Sequence, residues 1–150
     1  MAQFFKAFER TIRMEGGYSN DPMDRGGETY IGISRVFNPH WSGWPIIDRW
    51  KSEGRFHQAQ LSTDPVLRVQ TRLFYKQSYW DPLQGDRIKD ESVAQELFDT
   101  AVNMGVHTAG VFLQESLNVL NRNKTLYPDM IVDGLVGHRT MAALEILLDH

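Results

Sequence analysis

"RMEGGYSNDPMDRGGETYIGIS", residues 13–34, decides how this chain is read. It holds two glycine pairs, a proline, and the acids Glu15, Asp21, Asp24 and Glu28. An apolar helix pattern runs into it and a strand pattern leaves it. At 100° per residue, Phe4, Phe8 and Ile12 fall at roughly 0°, 40° and 80° around a helix, and Glu15 at about 20°. Glu15 thus shares the apolar stripe. The spacing predicts a helix over residues 3–15, ended by Gly16 and Gly17 as glycine ends helices.

The next segment, "SNDPMDRGG", is turn chemistry. "ETYIGI" then carries β-branched and aromatic residues. Read as a strand, it puts Thr29, Ile31 and Ile33 on one face and Tyr30 and Gly32 on the other. The expectation is a short hairpin or an irregular small sheet.

A glutamate on the apolar side of a helix end is costly when charged. Three outcomes stay open from position alone. It pairs or caps structurally, it tips into solvent, or it keeps a raised pKa and donates a proton. Asp24 follows after eight intervening residues and Thr29 after four more. A helix end followed by a hairpin can gather all three in one cleft. One protonated carboxyl in an apolar setting and one ionised carboxyl in a polar loop suit cleavage of a glycosidic bond. The acid protonates the leaving oxygen, the carboxylate stabilises positive charge or activates water, and a threonine hydroxyl positions that water.

The chain has 150 residues, 41% of them hydrophobic, which favours one globular domain with a sizeable core. It has no cysteine, so no disulfide and no thiolate chemistry. A net charge of −3 with mixed signs argues against nucleic acid as a partner. No apolar run approaches a membrane span. The N-terminal segment lacks the unbroken apolar run of a signal peptide, so synthesis in the cytoplasm is expected. His40, His57, His107, His138 and His150 show no paired ligand spacing, so neither zinc nor another cofactor is expected. The acids at 21, 24 and 28 miss the spacing of a calcium loop, and no Lys-Ser or Lys-Thr follows the glycines to cradle phosphate. Asp21, before Pro22, reads as a residue that stabilises its own turn.

Downstream, "NPHWSGWP" (38–45) reads as loop and "DRWKSEGRF" (48–56) as a short helix. "STDPVLRVQTRLFYKQSYW" (62–80) reads as a firmer helix, capped by Thr63 or Asp64, with Pro65 in its first turn. Its expected stripe is Val66, Val69, Leu73 and Phe74. "ESVAQELFDTAVNMG" (91–105) is a strong helix, with Val93, Ala94, Leu97, Phe98 and Ala101 inward. Another helix follows from a cap at Thr108, then a turn "VDGLVG" (132–137) and a closing helix "RTMAALEILLD" (139–149).

"EGGYSNDPMDRGGETYIGIS" closely resembles the signature of glycoside hydrolase family 108, peptidoglycan-cleaving muramidases found as phage endolysins and secretion-activator-like bacterial proteins. "FDTAVNMG", "LQESLN" and "VDGLVGHRTMAAL" resemble that family's peptidoglycan-binding region. The resemblance covers most of the chain, residues 35–61 least well. It implies a mainly α (α+β), lysozyme-like fold of about six helices with a small β-hairpin after the catalytic helix. It implies one domain over 1–150, with 1–88 carrying the catalytic helix and hairpin and 90–150 an integral binding-like lobe. Glu15 corresponds to the family's catalytic glutamate. Asp24 and Thr29 carry over as further catalytic residues. Phage-type lysozymes have five residues between their Asp or Cys and their Thr; here four precede Thr29, and Tyr30 takes the fifth-gap position. Tyr30 is therefore a second candidate to position water or sugar. Tyr18, Asn103 and Trp80 are candidate substrate contacts, and Trp41, Trp44 and Tyr79 could also stack on sugars.

The implied activity is hydrolysis of the β-1,4 bond between N-acetylmuramic acid and N-acetylglucosamine, by a monomer acting on the wall after release or export. Two alternatives stand beside it. One is a non-catalytic peptidoglycan-binding or secretion-assisting protein, which has no reason to keep an acid on an apolar stripe. The other is a lytic transglycosylase, which needs the acid but not Asp24.

Overall fold

The computed structural model describes residues 2–12, 17–54 and 57–150. Glu15 and Gly16, on which the helix-end reading turns, lie outside the described residues, as do Arg55 and Phe56 of the 48–56 segment. The chain forms two compact units, Phe8–Tyr75 and Met1–Ala7 joined by Lys76–His150. The units part after Ala7 and after Tyr75. The aromatic packing gives the reason. Phe4 sits edge-on to Trp80 and to Phe98, ring centroids 5.6 and 5.9 Å away, so the first residues help fill the core of the C-terminal unit.

The first unit takes in the end of α1 (Ala2–Ile12), then β1 (Tyr18–Asn20), β2 (Glu28–Tyr30), β3 (Ile33–Ser34), α2 (Trp44–Ser52), α3 (Gln58–Leu61) and α4 (Pro65–Tyr75). The strands form an antiparallel sheet in the order β1-β2-β3, with Tyr18 opposite Tyr30 and Tyr30 opposite Ile33. Paired residues share a face. Tyr30 and Ile33 are thus together on the buried side, not on opposite faces. The single strand expected over 28–33 is broken because Ile31 and Gly32 turn the chain at φ +46° and +76°. Two positive φ values match a tight two-residue hairpin turn.

Behind the sheet, Trp41 stacks on Tyr30 and stands edge-on to Trp44 at 5.1 Å. α2 starts at Trp44, four residues earlier than expected, with Pro45 in its first turn. Asp64 caps α4, as one of the two expected caps: its Oδ1 accepts from the Val66 and Leu67 amides. The buried face of α4 is Leu67, Thr71 and Tyr75, whereas Val66, Val69 and Leu73 are exposed, which corrects the predicted stripe. Thr71 satisfies its hydroxyl on the Leu67 carbonyl, and Tyr75 donates to the Ile31 carbonyl at 2.6 Å. Hydrogen bonding lets these polar residues occupy the inner face.

In the second unit, a π-helical turn (Lys76–Trp80) and two 3-10 turns (Asp81–Leu83, Gly85–Arg87) lead to α5 (Glu91–Met104), α6 (Val106–Leu120) and α7 (His138–Leu148). α5 follows its pattern: Asp90 accepts from the Val93 amide as cap, and Ala94, Leu97, Phe98 and Ala101 are buried. Gly105 closes it at φ +93° and α6 starts at once, so Thr108 lies inside α6 and is not its cap. Buried Gln114 gathers the 133–140 segment. Its amide donates to Asp133, the Leu135 carbonyl and Thr140, and its carbonyl accepts from the Asp133 and Gly134 amides. The whole is the mainly helical, lysozyme-like α+β architecture with a small sheet after the first helix. Among the described residues no helix is long and apolar enough to cross a membrane.

Candidate active site

The β1–β2 connection carries Asp21 and Asp24. The Asp21 carboxylate accepts from the Met23 amide, and its carbonyl accepts from the Asp24 amide, so Asp21 stabilises its own turn. Asp24 is exposed, and its Oδ1 accepts from the Gly26 amide at 3.0 Å. Thr29 stands at the middle of β2. A Cβ added at Gly26 would lie 3.6 Å from Asp24 Oδ1 and 3.6 Å from Thr29 Cγ2. Gly26 thus lies beside both the Asp24 carboxylate and the Thr29 methyl, at ordinary contact distances. Ser34 Oγ donates to the Gly26 carbonyl at 2.6 Å and ties this turn to β3.

The hairpin is held from one side by a charge cluster. The Glu28 carboxylate accepts from the Tyr18 hydroxyl at 2.9 Å, from Arg35 at 2.9 Å and from Lys51. Arg35 also makes a two-pronged contact with Asp48, at 2.8 and 2.7 Å. Burial pushes the Glu28 carboxyl up, but the hydrogen bonds from Lys51, Arg35 and Tyr18 outweigh it and hold the carboxyl below its usual range. Asp48 is lowered chiefly by its bonds from Arg35. Tyr18, predicted to touch substrate, is thus engaged in fixing Glu28, with Lys51 5.3 Å over its ring.

A cavity of about 450 Å³ opens in the same unit. Phe8, Glu9 and Ile12 of α1, Tyr30 and Ile31 of the hairpin, and Arg68, Thr71 and Arg72 of α4 line it, with Ser62. The Ile31 amide donates to the Gly17 carbonyl at 3.1 Å. In sequence, Glu15 falls between Ile12 and Gly17, both tied to this cavity's walls. Tyr30 is 2% exposed, and burial raises its hydroxyl pKa.

Asn103 and Trp80 belong to the other unit. Trp80 is 1% exposed, between Phe4 and Phe98, and its indole N–H donates to Asp86 at 2.9 Å. That leaves no open ring face for a sugar, so Trp80 is core, as are Trp41 and Trp44. Asn103 is exposed and donates to the Asp99 carbonyl one turn back. Among the described residues no group of three His, Cys, Asp or Glu is placed to hold a metal ion. Sequence reasoning missed Arg68, Arg72 and the Glu28 cluster. The only signal was the i, i+4 spacing of the two arginines, common on solvated helix faces.

Residues 8–105 match a family model described as "Glycosyl hydrolase 108". No curated protein matches the chain. Among solved structures, SagA from Brucella abortus is similar over 99% of this chain and 74% of that one, with a TM-score of 0.57 at 23% identity. At that identity the likeness is one of fold. The family model spans well over half of the residues, and it begins at the cavity-lining Phe8 and runs through the hairpin and α5. The chain belongs to the glycosyl hydrolase 108 family and is a glycoside hydrolase.

Proposed function

We propose that the protein is a peptidoglycan hydrolase that cuts the β-1,4 bond between N-acetylmuramic acid and N-acetylglucosamine. The observation that supports this reading is the cavity lined by α1, the hairpin turn and α4, all within the stretch that the family model matches. Glu15 is the general acid in this reading. Its proton goes to the glycosidic oxygen as the bond to the anomeric carbon breaks. Asp24 stabilises the positive charge that develops on the sugar or takes a proton from the attacking water. Thr29 or Tyr30 orients that water. The protein acts as a monomer, on peptidoglycan reached after release or export.

The test is mass spectrometry of peptidoglycan digested by the purified protein. Soluble fragments with reducing muramic ends support the reading. Anhydro-muramic ends would make the protein a transglycosylase, and no released fragment would make it a binder.

A further inference from the structure

Phe37 is 74% exposed, the most of any aromatic residue among those described, and among them no ring packs on it. Trp41 and Trp44, a few residues on, join the core; Phe37 does not. Its neighbour Val36 is 60% exposed. A lone exposed apolar side chain needs no explanation, but this one stands on a pinned backbone. The amide and the side chain of Asn38 both donate to the Ser34 carbonyl, and the Asn38 carbonyl accepts from the Trp41 amide and the Trp44 indole. The Phe37 amide donates to Ser34 Oγ at 3.5 Å. The same hydroxyl donates to the Gly26 carbonyl at 2.6 Å, and the Gly26 amide donates to Asp24. Val36 Cγ2 stands 3.0 Å from where a Cβ on Gly27 would lie. The turn that carries Phe37 is thus fastened to the turn that carries Asp24.

A ring on so fixed a backbone loses little further freedom when something packs on it. Charge narrows what that is. Asp21 and Asp24 outnumber Arg25 on the adjoining turn, and all three are exposed, so an anionic lipid surface or an acidic peptide meets net repulsion there. Arg35, the cation next to Val36, is committed to Glu28 and Asp48. A neutral pyranose fits: its C–H face is apolar enough to lie on a ring while its hydroxyls stay in water. We propose that Phe37 is a stacking platform for one sugar ring of the glycan strand, next to the Asp24 turn. The proposal rests on the peptidoglycan reading above. Phe37 holds the strand and takes no part in bond cleavage, so its contribution belongs in KM rather than kcat.

The experiment uses soluble glycan strands freed of their stem peptides. Cleavage is followed with the full chain, and binding by calorimetry in the Glu15→Gln background. Phe37→Ala should raise both KM and Kd about tenfold with kcat little changed, as expected for one lost stacking contact. Phe37→Trp, which keeps a flat ring, should return both to near the wild-type values. Phe37→Leu, apolar but without a flat face, should stay near the alanine values. Phe37 is exposed, so its variants should fold; circular dichroism confirms this. If Phe37→Ala cuts with unchanged KM and binds equally well, the platform is wrong and the hydrolytic reading stands. If Phe37→Leu binds as well as Phe37→Trp, the contact is not stacking and the proposal is overturned. A wild type that sediments as a dimer, with Phe37→Ala a monomer, would overturn it too, because a second copy then covers the ring. If no strand is cut, yet strands bind only when residue 37 carries a ring, the platform stands and the hydrolytic reading falls. Neither cleavage nor ring-dependent binding would overturn both.

Discussion

Arg35 holds two carboxylates at once: it donates to Glu28 at 2.9 Å and grips Asp48 with both terminal nitrogens at 2.8 and 2.7 Å. Glu28 belongs to β2 and Asp48 to α2, so one guanidinium fixes the hairpin to the helix. Removing one member of a buried polar network costs more than its bond contributes, because its partners lose compensation. Part of this cluster is exposed to water, which weakens each pair. Glu28→Gln should therefore destabilise the protein by about 1 kcal/mol, roughly 3 °C in Tm. The pH dependence follows from the lowered pKa values of Glu28 and Asp48. Such groups add stability above the unfolded-state pKa, and that stability is lost as pH falls through the folded-state value. Melting curves between about pH 5 and pH 2.5 should fall steeply for the wild type and less steeply for Glu28→Gln. Equal slopes would show that the cluster is not coupled to folding.

Ile31 is a β-branched residue held at φ +46° on the cavity wall. That conformation costs an L-residue about 1 kcal/mol or more, and glycine escapes the cost. The strain persists because the Ile31 amide and carbonyl are bonded to Gly17 and Tyr75. Ile31→Gly should raise thermal stability, or at worst leave it unchanged as lost apolar burial offsets the relief. It should also lower hydrolysis several-fold by removing part of the cavity wall. A variant that is both less stable and fully active would show that the strain serves neither end.

Three substitutions address the proposed chemistry. Glu15→Gln should abolish wall lysis while circular dichroism stays native, because the amide cannot donate the required proton. Asp24→Ala should lose on the order of a hundredfold or more, since the developing positive charge loses its partner. Thr29→Ala and Tyr30→Phe separate the two water-positioning candidates. Tyr30 keeps its buried ring against Trp41 in the Phe variant, so only the hydroxyl is tested. Near-normal lysis by Glu15→Gln would remove the central claim.

The helical half of the fold was legible in the sequence where one periodicity dominated. α5 combined a 3.6-residue apolar pattern with a terminal glycine, and the structure uses both. α4 misled because its most apolar face, Val66, Val69 and Leu73, is the exposed one. Its inner face depends on Thr71 and Tyr75 finding hydrogen-bond acceptors, which local pattern does not reveal. The hairpin turn was hidden for a related reason, since isoleucine is no signal for positive φ. Asp24 and Thr29 could be singled out as candidates because they lie in one short motif. Arg68 and Arg72 could not, because their place on a cavity wall depends on α1, the hairpin and α4 coming together.

Packing also makes a prediction at Gly110. A Cβ there would stand 2.2 Å from the Gly134 carbonyl oxygen, a backbone atom that cannot swing aside. Gly134 is held in place by Gln114 and itself has φ +72°. Gly110→Ala must therefore push the 133–135 segment off α6 and strip bonds from buried Gln114. Overpacking with lost hydrogen bonds costs about 2–4 kcal/mol, against helix-propensity gains below about 1 kcal/mol. Chemical denaturation should show a lower midpoint for Gly110→Ala. An unchanged or higher midpoint would mean the close approach relaxes without loss.

The last prediction concerns where the chain can be cut. α1 supplies Phe4 to the C-terminal unit and Phe8 to the other, where Phe8 stands edge-on to Tyr75 at 5.6 Å. A fragment ending at Ile88 keeps Phe4 and Trp80 but loses Phe98, which packs against both. It also loses α5 to α7, and with them the buried surface that stabilises residues 76–88. Two large aromatics left without their partner forfeit several kcal/mol of burial, comparable with the whole stability of a small domain. The fragment should therefore be unfolded or aggregated by circular dichroism and inactive on peptidoglycan. The full chain, with α1 shared between its units, should unfold in one transition whose midpoint is the same by fluorescence and by circular dichroism. A soluble fragment of residues 1–88 that still cleaves peptidoglycan would show instead that the C-terminal helices are a separable binding module.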